Sequence, residues 1–255
     1  HLLSRRQRQM CIRDRGYDQL ETVWRNPTTQ THNLSVNGGG ERVRYFGAAS
    51  YVKQEGFLDP MTYDKYNIRI NVTADITKDL EVFAGLAVYN NFQGNVADNA
   101  DASDTYGKLR IWQPDQPVFT DNGQYIDYGW IGNVGARVTG ASGYNKYTLL
   151  KPQAVFSATY KVPFIKGLSA KLAYSRSWTN ERTNIFYTNY DMMVMEKSGT
   201  NGRIMSTNDN DIVSVKRSTW LSKDYIERKS TWSDDKQLNF QLTYENLFNL
   251  SLIHI

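Results

Sequence analysis

Five aromatic residues fall within one stretch of this chain: Trp112, Tyr125, Tyr128, Trp130 and Tyr144. The surrounding segment, residues 91–149, is rich in Asn, Asp and Gly. That mixture suits sugar binding, because a sugar stacks its apolar face on an aromatic ring while neighbouring amides and carboxylates take its hydroxyls. It suits equally a loop that packs its own rings into a compact cap. The acidic run Asp98-Asn99-Ala100-Asp101-Ala102-Ser103-Asp104 offers oxygens for Ca²⁺. It lacks the glycine and closing glutamate of an EF-hand loop, so it reads as a solvated loop and no metal is expected. Asn208-Asp209-Asn210-Asp211 reads as a polar turn.

Catalytic chemistry has less to work with. The histidines are His1, His32 and His254. No Gly-x-Ser-x-Gly, His-Glu-x-x-His or Cys/His metal spacing occurs. The cluster Gly38-Gly39-Gly40 is followed by neither Lys-Ser/Thr nor a helical pattern, so it is not a phosphate loop. No enzyme activity and no cofactor are expected.

The elements that must carry the loops are strands. Along residues 66–76, one alternate set is Tyr66, Ile68, Ile70, Val72, Ala74 and Ile76, and the other is Asn67, Arg69, Asn71, Thr73 and Asp75. Side chains on a strand alternate faces, so one face is apolar and the other polar. The length matches a tilted strand crossing a bilayer, about 9–11 residues. It also fits a half-buried strand of a soluble sandwich. The same alternation runs through residues 42–51, 80–90, 153–161, 168–178 and 236–248, and a shorter strand is expected over residues 31–36. Residues 185–195 and 212–220 are β-prone and form a further candidate hairpin.

Composition permits a membrane without a membrane helix. Aromatic residues make up 13% of the 255 residues. Mean hydropathy is −0.58, which a transmembrane barrel reaches by hiding its apolar residues in alternation. The net charge of +4 lies wholly in residues 1–15, where Arg5, Arg6, Arg8, Arg13 and Arg15 face Asp14. Nucleic-acid binding would need such charge on a folded face, and none is expected. The lone cysteine, Cys11, lies in the same stretch. Residues 1–15 and 251–255 read as non-native tails, leaving residues 16–250 as the domain, without disulfides.

Connection lengths separate the barrel from the sandwich. In order they read short (37–41), longer (52–63), short (77–79), long (91–149), short (162–167) and long (179–235). In an up-and-down meander every second connection lies at the same end. All tight turns then fall at one end and all long loops at the other, as in outer-membrane barrels. Tyr51 and Tyr66 would lie at one rim of the apolar face, and Tyr160 and Tyr244 at the other, as in an aromatic girdle. The expected fold is therefore all-β: an antiparallel meander forming part of a large transmembrane β-barrel.

The residues Asn33-Leu34-Ser35-Val36-Asn37-Gly38-Gly39, Tyr45-Phe46, Tyr51 and Gln54-Glu55-Gly56 resemble a strand–turn–strand signature of the SusC/RagA family of TonB-linked outer-membrane proteins. Shorter pieces at residues 63–77, 113–126 and 165–175 are similar to later family segments. The resemblance implies a barrel of about 22 strands around an N-terminal plug. It implies uptake of glycans or peptides across the outer membrane of Bacteroidetes, with a SusD-like surface lipoprotein and the TonB complex as partners. It also implies that this chain holds roughly a third of the barrel wall, without the plug. Under that reading the five loop aromatics would meet substrate or lipoprotein. The alternatives from other classes are a passive porin or adhesin barrel, and a soluble β-sandwich carbohydrate-binding module.

Overall fold

A computed structural model describes residues 19–96, 112, 116–129, 133–198, 203–204, 207–219 and 221–245. The two tails and the acidic run at 98–104 lie outside the described residues. A short helix α1 (Gln19–Val23) precedes four strands: β1 (Thr28–Gly39), β2 (Val43–Glu55), β3 (Thr62–Asp75) and β4 (Leu80–Asn95). Helix α2 (Val134–Val138) lies in the following connection, before β5 (Gly143–Lys161) and β6 (Leu168–Tyr187). Four short strands come next: β7 (Asp191–Met195), β8 (Lys197–Ser198), β9 (Arg203–Ile204) and β10 (Ile212–Arg217). The long strand β11 (Tyr225–Tyr244) closes the described chain.

The main sheet has seven strands in the order β1-β2-β3-β4-β5-β6-β11, and every pair is antiparallel. Its register turns the period-two pattern into continuous rows. One row crosses six strands as Tyr45, Val72, Ala84, Phe156, Tyr174 and Leu238. The next crosses as Val43, Ala74, Val82, Ala158, Leu172 and Phe240. Between them on the opposite face runs Arg44, Thr73, Phe83, Ser157, Ala173 and Asn239. A one-residue slip would exchange the two faces, so the apolar pattern itself fixes the register.

The sheet curls around its polar face. A groove of ≈ 520 Å³ lies on that side, walled by residues from β1 through β5, among them Asn33, Ser50, Asn67, Arg69, Tyr89 and Lys151. The apolar rows therefore lie on the convex side. Nothing among the described residues covers them: Leu34 is 75% exposed and Phe240 70%. A two-sheet sandwich would bury these rows against each other. Here the buried apolar residues lie elsewhere, in the connections at one end.

Those connections differ in length as the meander requires. At one end the turns span residues 40–42, 76–79 and 162–167; at the other lie 56–61, 96–142 and 188–224. The connection after β2 is shorter than its sequence suggests, because β2 and β3 each extend into it. Residues 185–187 complete β6, while β7 and β10 pair as a separate antiparallel hairpin. Strand β5 carries Pro152 in the middle of the sheet, and its ladder to β6 breaks there, at residues 151 and 152. Proline has no N–H to donate, which is why it disrupts a central strand.

Candidate functional site

The long connections fold into a cap with its own core. Leu58, Val96, Trp112, Val134 and Val138 form one buried cluster, against which Val23, Phe57, Met61 and Tyr128 pack. Ile126, Met193 and Met195 form a second, and Tyr128 touches both. Three connections thus share one apolar interior. The chain before β1 joins them: Trp24 stacks on Phe57 with ring centroids 4.2 Å apart, and the Arg25 guanidinium reaches Asp59 at 2.7 Å. A parallel bridge between Ile126 and Met193 ties the two long connections together.

Asn133 is the polar hinge of this cap. It is 1% exposed. Its Nδ2 donates to the carbonyls of Val118 at 2.8 Å and Ile126 at 2.9 Å, and its Oδ1 accepts from the Ala136 N–H at the start of α2. One side chain therefore satisfies the Ile126 carbonyl, caps a helix and adds a second donor to the Val118 carbonyl, which also accepts from the Ile126 N–H at 3.2 Å. Gly135 beside it lies so close to Val118 that a Cβ would collide with that side chain.

Of the five aromatics singled out in the sequence, the four that are described do not form one surface. Trp112 is buried at 5% exposure, and its Nε1 donates to the Gln116 carbonyl at 2.7 Å. Tyr128 meets its ring edge-on at 5.1 Å and donates its hydroxyl to the Pro117 carbonyl at 2.6 Å. These two rings serve the cap's interior. Tyr125 is half-buried between Phe119 and Tyr190, and its hydroxyl donates to Thr139 Oγ1, which itself donates to the Gly135 carbonyl. Tyr144 belongs to β5 rather than to a loop; it lies on the convex face against Phe186, away from the other rings. Trp130 lies outside the described residues.

The concave face holds a second set of aromatics. Tyr63 and Tyr89 share a hydrogen bond at 3.4 Å, Asn91 Nδ2 donates to Tyr89 at 3.4 Å, and the Lys65 ammonium sits 5.3 Å above the Tyr89 ring. Tyr147 lies on the same face, opposite Gln93 and Thr183 in register. Farther along, Tyr187 stacks on Tyr225 at 5.6 Å, and Tyr225 donates to Glu227 at 2.6 Å. That hydrogen bond to a carboxylate, with partial desolvation, holds the Tyr225 phenol above its ordinary value. Toward the tight turns the same face carries Arg44 between Asp75 at 3.5 Å and Glu81 at 2.9 Å.

This arrangement can hydrogen-bond and stack against polar chains. Among the described residues no group of three or more His, Cys, Asp or Glu could hold a metal. In the sequence the apolar set of each strand stands out and the concave tyrosines do not. Parity alone places them: in each strand they occupy the polar positions.

Comparison with known proteins now bears on this geometry. No protein-family model matches the chain, and no curated protein sequence is similar to it. Solved structures are similar. The RagAB peptide importer in its closed-closed state matches with a TM-score of 0.53 at 16% identity, over 90% of this chain and 32% of that one. The fold is shared. A second structure, of the RagAB peptide transporter, matches with a TM-score of 0.54 at 16% identity over 89% of this chain and 31% of that one. The open-open state of the importer gives a TM-score of 0.53 with the same identity and coverage. The chain spans about a third of the length of those chains. At this identity the likeness is one of fold: an antiparallel meander corresponding to part of a β-barrel in a transporter.

Proposed function

We propose that this chain is a wall segment, with its outer cap, of a TonB-dependent importer of the SusC/RagA type in an outer membrane. The observation that carries this reading is the two-sided sheet. Uncovered apolar rows lie on its convex face, and a polar groove on its concave face. Seven strands joined by alternating short and long connections are one arc of a barrel whose apolar face meets lipid and whose polar face lines the lumen. The fold likeness to the RagAB importer favours a plugged transporter over a passive porin.

On this reading the cap stands at the outer mouth and meets a SusD-like surface lipoprotein. The cargo is a polar polymer, peptide or glycan, that exchanges hydrogen bonds with the lumenal tyrosines, amides and hydroxyls as it passes. Tyr125 and Trp130 are the loop aromatics left for cargo contact; Trp112 and Tyr128 hold the cap together. Energy arrives through the TonB complex by way of parts of the receptor outside this segment.

Uptake of labelled oligopeptides and oligosaccharides by cells producing the complete receptor tests the proposal. Uptake should stop on deletion of TonB or dissipation of the proton gradient, and should fall when the neighbouring lipoprotein is deleted. Uptake that persists without TonB at the same rate would make the protein a passive porin.

A further inference from the structure

Above the apolar rows, the convex face changes character on β5, β6 and β11 only. Register places successive rows on that face as Leu150–Asn180–Trp232, Thr148–Arg182–Ser230, Lys146–Asn184–Arg228 and Tyr144–Phe186–Ile226. Three cations thus stand together, on adjacent strands spaced about 4.8 Å apart. All three are exposed. Arg182 donates to Asn180 at 3.0 Å and Lys146 lies 4.6 Å over the Tyr144 ring, but none of the three has a carboxylate partner among the described residues. Below them are two tryptophans, Trp178 and the 64%-exposed Trp232.

Height along the strand gives this cluster its meaning. With a rise of about 3.3 Å per residue and a tilt near 40°, Trp178 stands roughly 25 Å above Leu168, the height of an outer-membrane apolar band. Arg182 stands about 10 Å higher, at the level of headgroups. Two more cations lie lower, near the upper edge of the band. Arg176 is tied there to Asp234 by two bonds of 2.9 Å, and Lys236 approaches the same carboxylate at 3.3 Å. At the edge of the band both cations share a carboxylate; above it the three cations have none among the described residues.

The corresponding part of the convex face on β2 and β3 is different. Lys53 is paired with Glu55 at 2.8 Å, and Asp64 accepts from Tyr51 at 2.8 Å. The excess of positive charge is therefore local. We propose that Lys146, Arg182 and Arg228 form a binding site for a phosphate-bearing lipid headgroup, seated on the Trp178–Trp232 belt with its acyl chains along the apolar rows below. The site rests on the outward, lipid-facing reading of the convex face. Continuity decides the occupant: a cationic cluster directly above an apolar surface and an aromatic belt matches the anionic head, interface and tail of one lipid. A soluble phosphate would use the cations alone.

The test uses the complete receptor in nanodiscs containing brominated phosphatidic acid or brominated phosphatidylcholine at equal mole fraction. Quenching of Trp178 and Trp232 by the lipid bromines is isolated by difference from the W178F/W232F variant. Phosphatidic acid should quench at least about fivefold more effectively, the equivalent of one cation's attraction to an anionic surface. The preference should vanish in K146Q/R182Q/R228Q, whose assembly is checked by heat-modifiable gel mobility, and should survive in K53Q. Equal quenching by the two lipids, or a preference retained in the triple variant, would overturn the site. So would loss of the preference on adding inorganic phosphate, which would mark a soluble-anion site. If neither lipid quenches these tryptophans in an assembled receptor, the outward reading of the sheet fails instead, a different result.

Discussion

Replacing Ile70 and its neighbour Asn71 by lysine, one at a time, separates the two faces of the sheet with a single chemistry. The residues are adjacent on β3 but point to opposite sides. Ile70 is 51% exposed on the convex face, flanked by Gly47 and Leu86. It stands five residues above Asp75, the strand's end near the tight turns, which at about 3.3 Å per residue and a 40° tilt is roughly 13 Å. That is half the height of a 25 Å apolar band, so the ammonium of Ile70→Lys would sit near the midplane, at a cost of about 2–4 kcal/mol. The ratio of assembled to unassembled receptor should fall roughly 30- to 700-fold, since each 1.4 kcal/mol is a factor of ten. Asn71→Lys adds the same charge to a wet lumen between Phe46 and Gly85 and should cost less than about 1 kcal/mol. The assay is reversible folding of the complete receptor into lipid vesicles, followed by heat-modifiable mobility across a denaturant series. Equal costs for the two variants, or a larger cost for Asn71→Lys, would refute the assignment of faces.

Further outcomes follow from the cap and the rim. Asn133→Ala strands the Ile126 carbonyl, leaves Val118 with only its bond from the Ile126 N–H and uncaps α2, so it should destabilise the cap by about 2–4 kcal/mol, seen as faster amide exchange across residues 116–139 with the sheet unchanged. Gly143 has φ +118 and lies against the Phe186 carbonyl. Gly143→Ala should therefore cost more than about 1 kcal/mol and open the outer ends of β5 and β6, read as lost amide protection at Tyr187. Asp234→Ala leaves Arg176 without its two-bonded partner at the edge of the apolar band, whereas Asp235→Ala acts on the polar face. The first should lower the assembled fraction more than the second in the same folding assay.

Legibility in the sequence depended on which physical constraint shaped each segment. Where a strand has an uncovered apolar face on one side and a polar face on the other, as in residues 66–74 and 238–244, alternation is strict and faces and partners follow from it. Beyond the apolar rows both faces carry polar groups, and the pattern fades. Residues 225–235, Tyr-Ile-Glu-Arg-Lys-Ser-Thr-Trp-Ser-Asp-Asp, carry polar groups on both faces, yet they pair with β6 without a break. The same loss of contrast marks the outer parts of β5 and β6, so alternation alone gives strands that are too short and intervening loops that are too long. The cap was harder still. Its interior joins Leu58, Trp112 and Met195 from three separate connections, and no local spacing announces such a meeting. Asn133 looks like any loop asparagine until the two carbonyls it bridges are brought to it.

Site-directed spin labelling along β3 tests the lipid-facing assignment most directly. Labels are placed one at a time at residues 66 to 75 of the complete receptor in bilayers, with Cys11 replaced by serine. Collisions with oxygen should peak at Tyr66, Ile68, Ile70, Val72 and Ala74, and collisions with a water-soluble nickel complex at the residues between. Even-numbered sites shielded from both reagents would mean that protein, not lipid, covers the apolar rows, and would contradict the lipid-facing assignment.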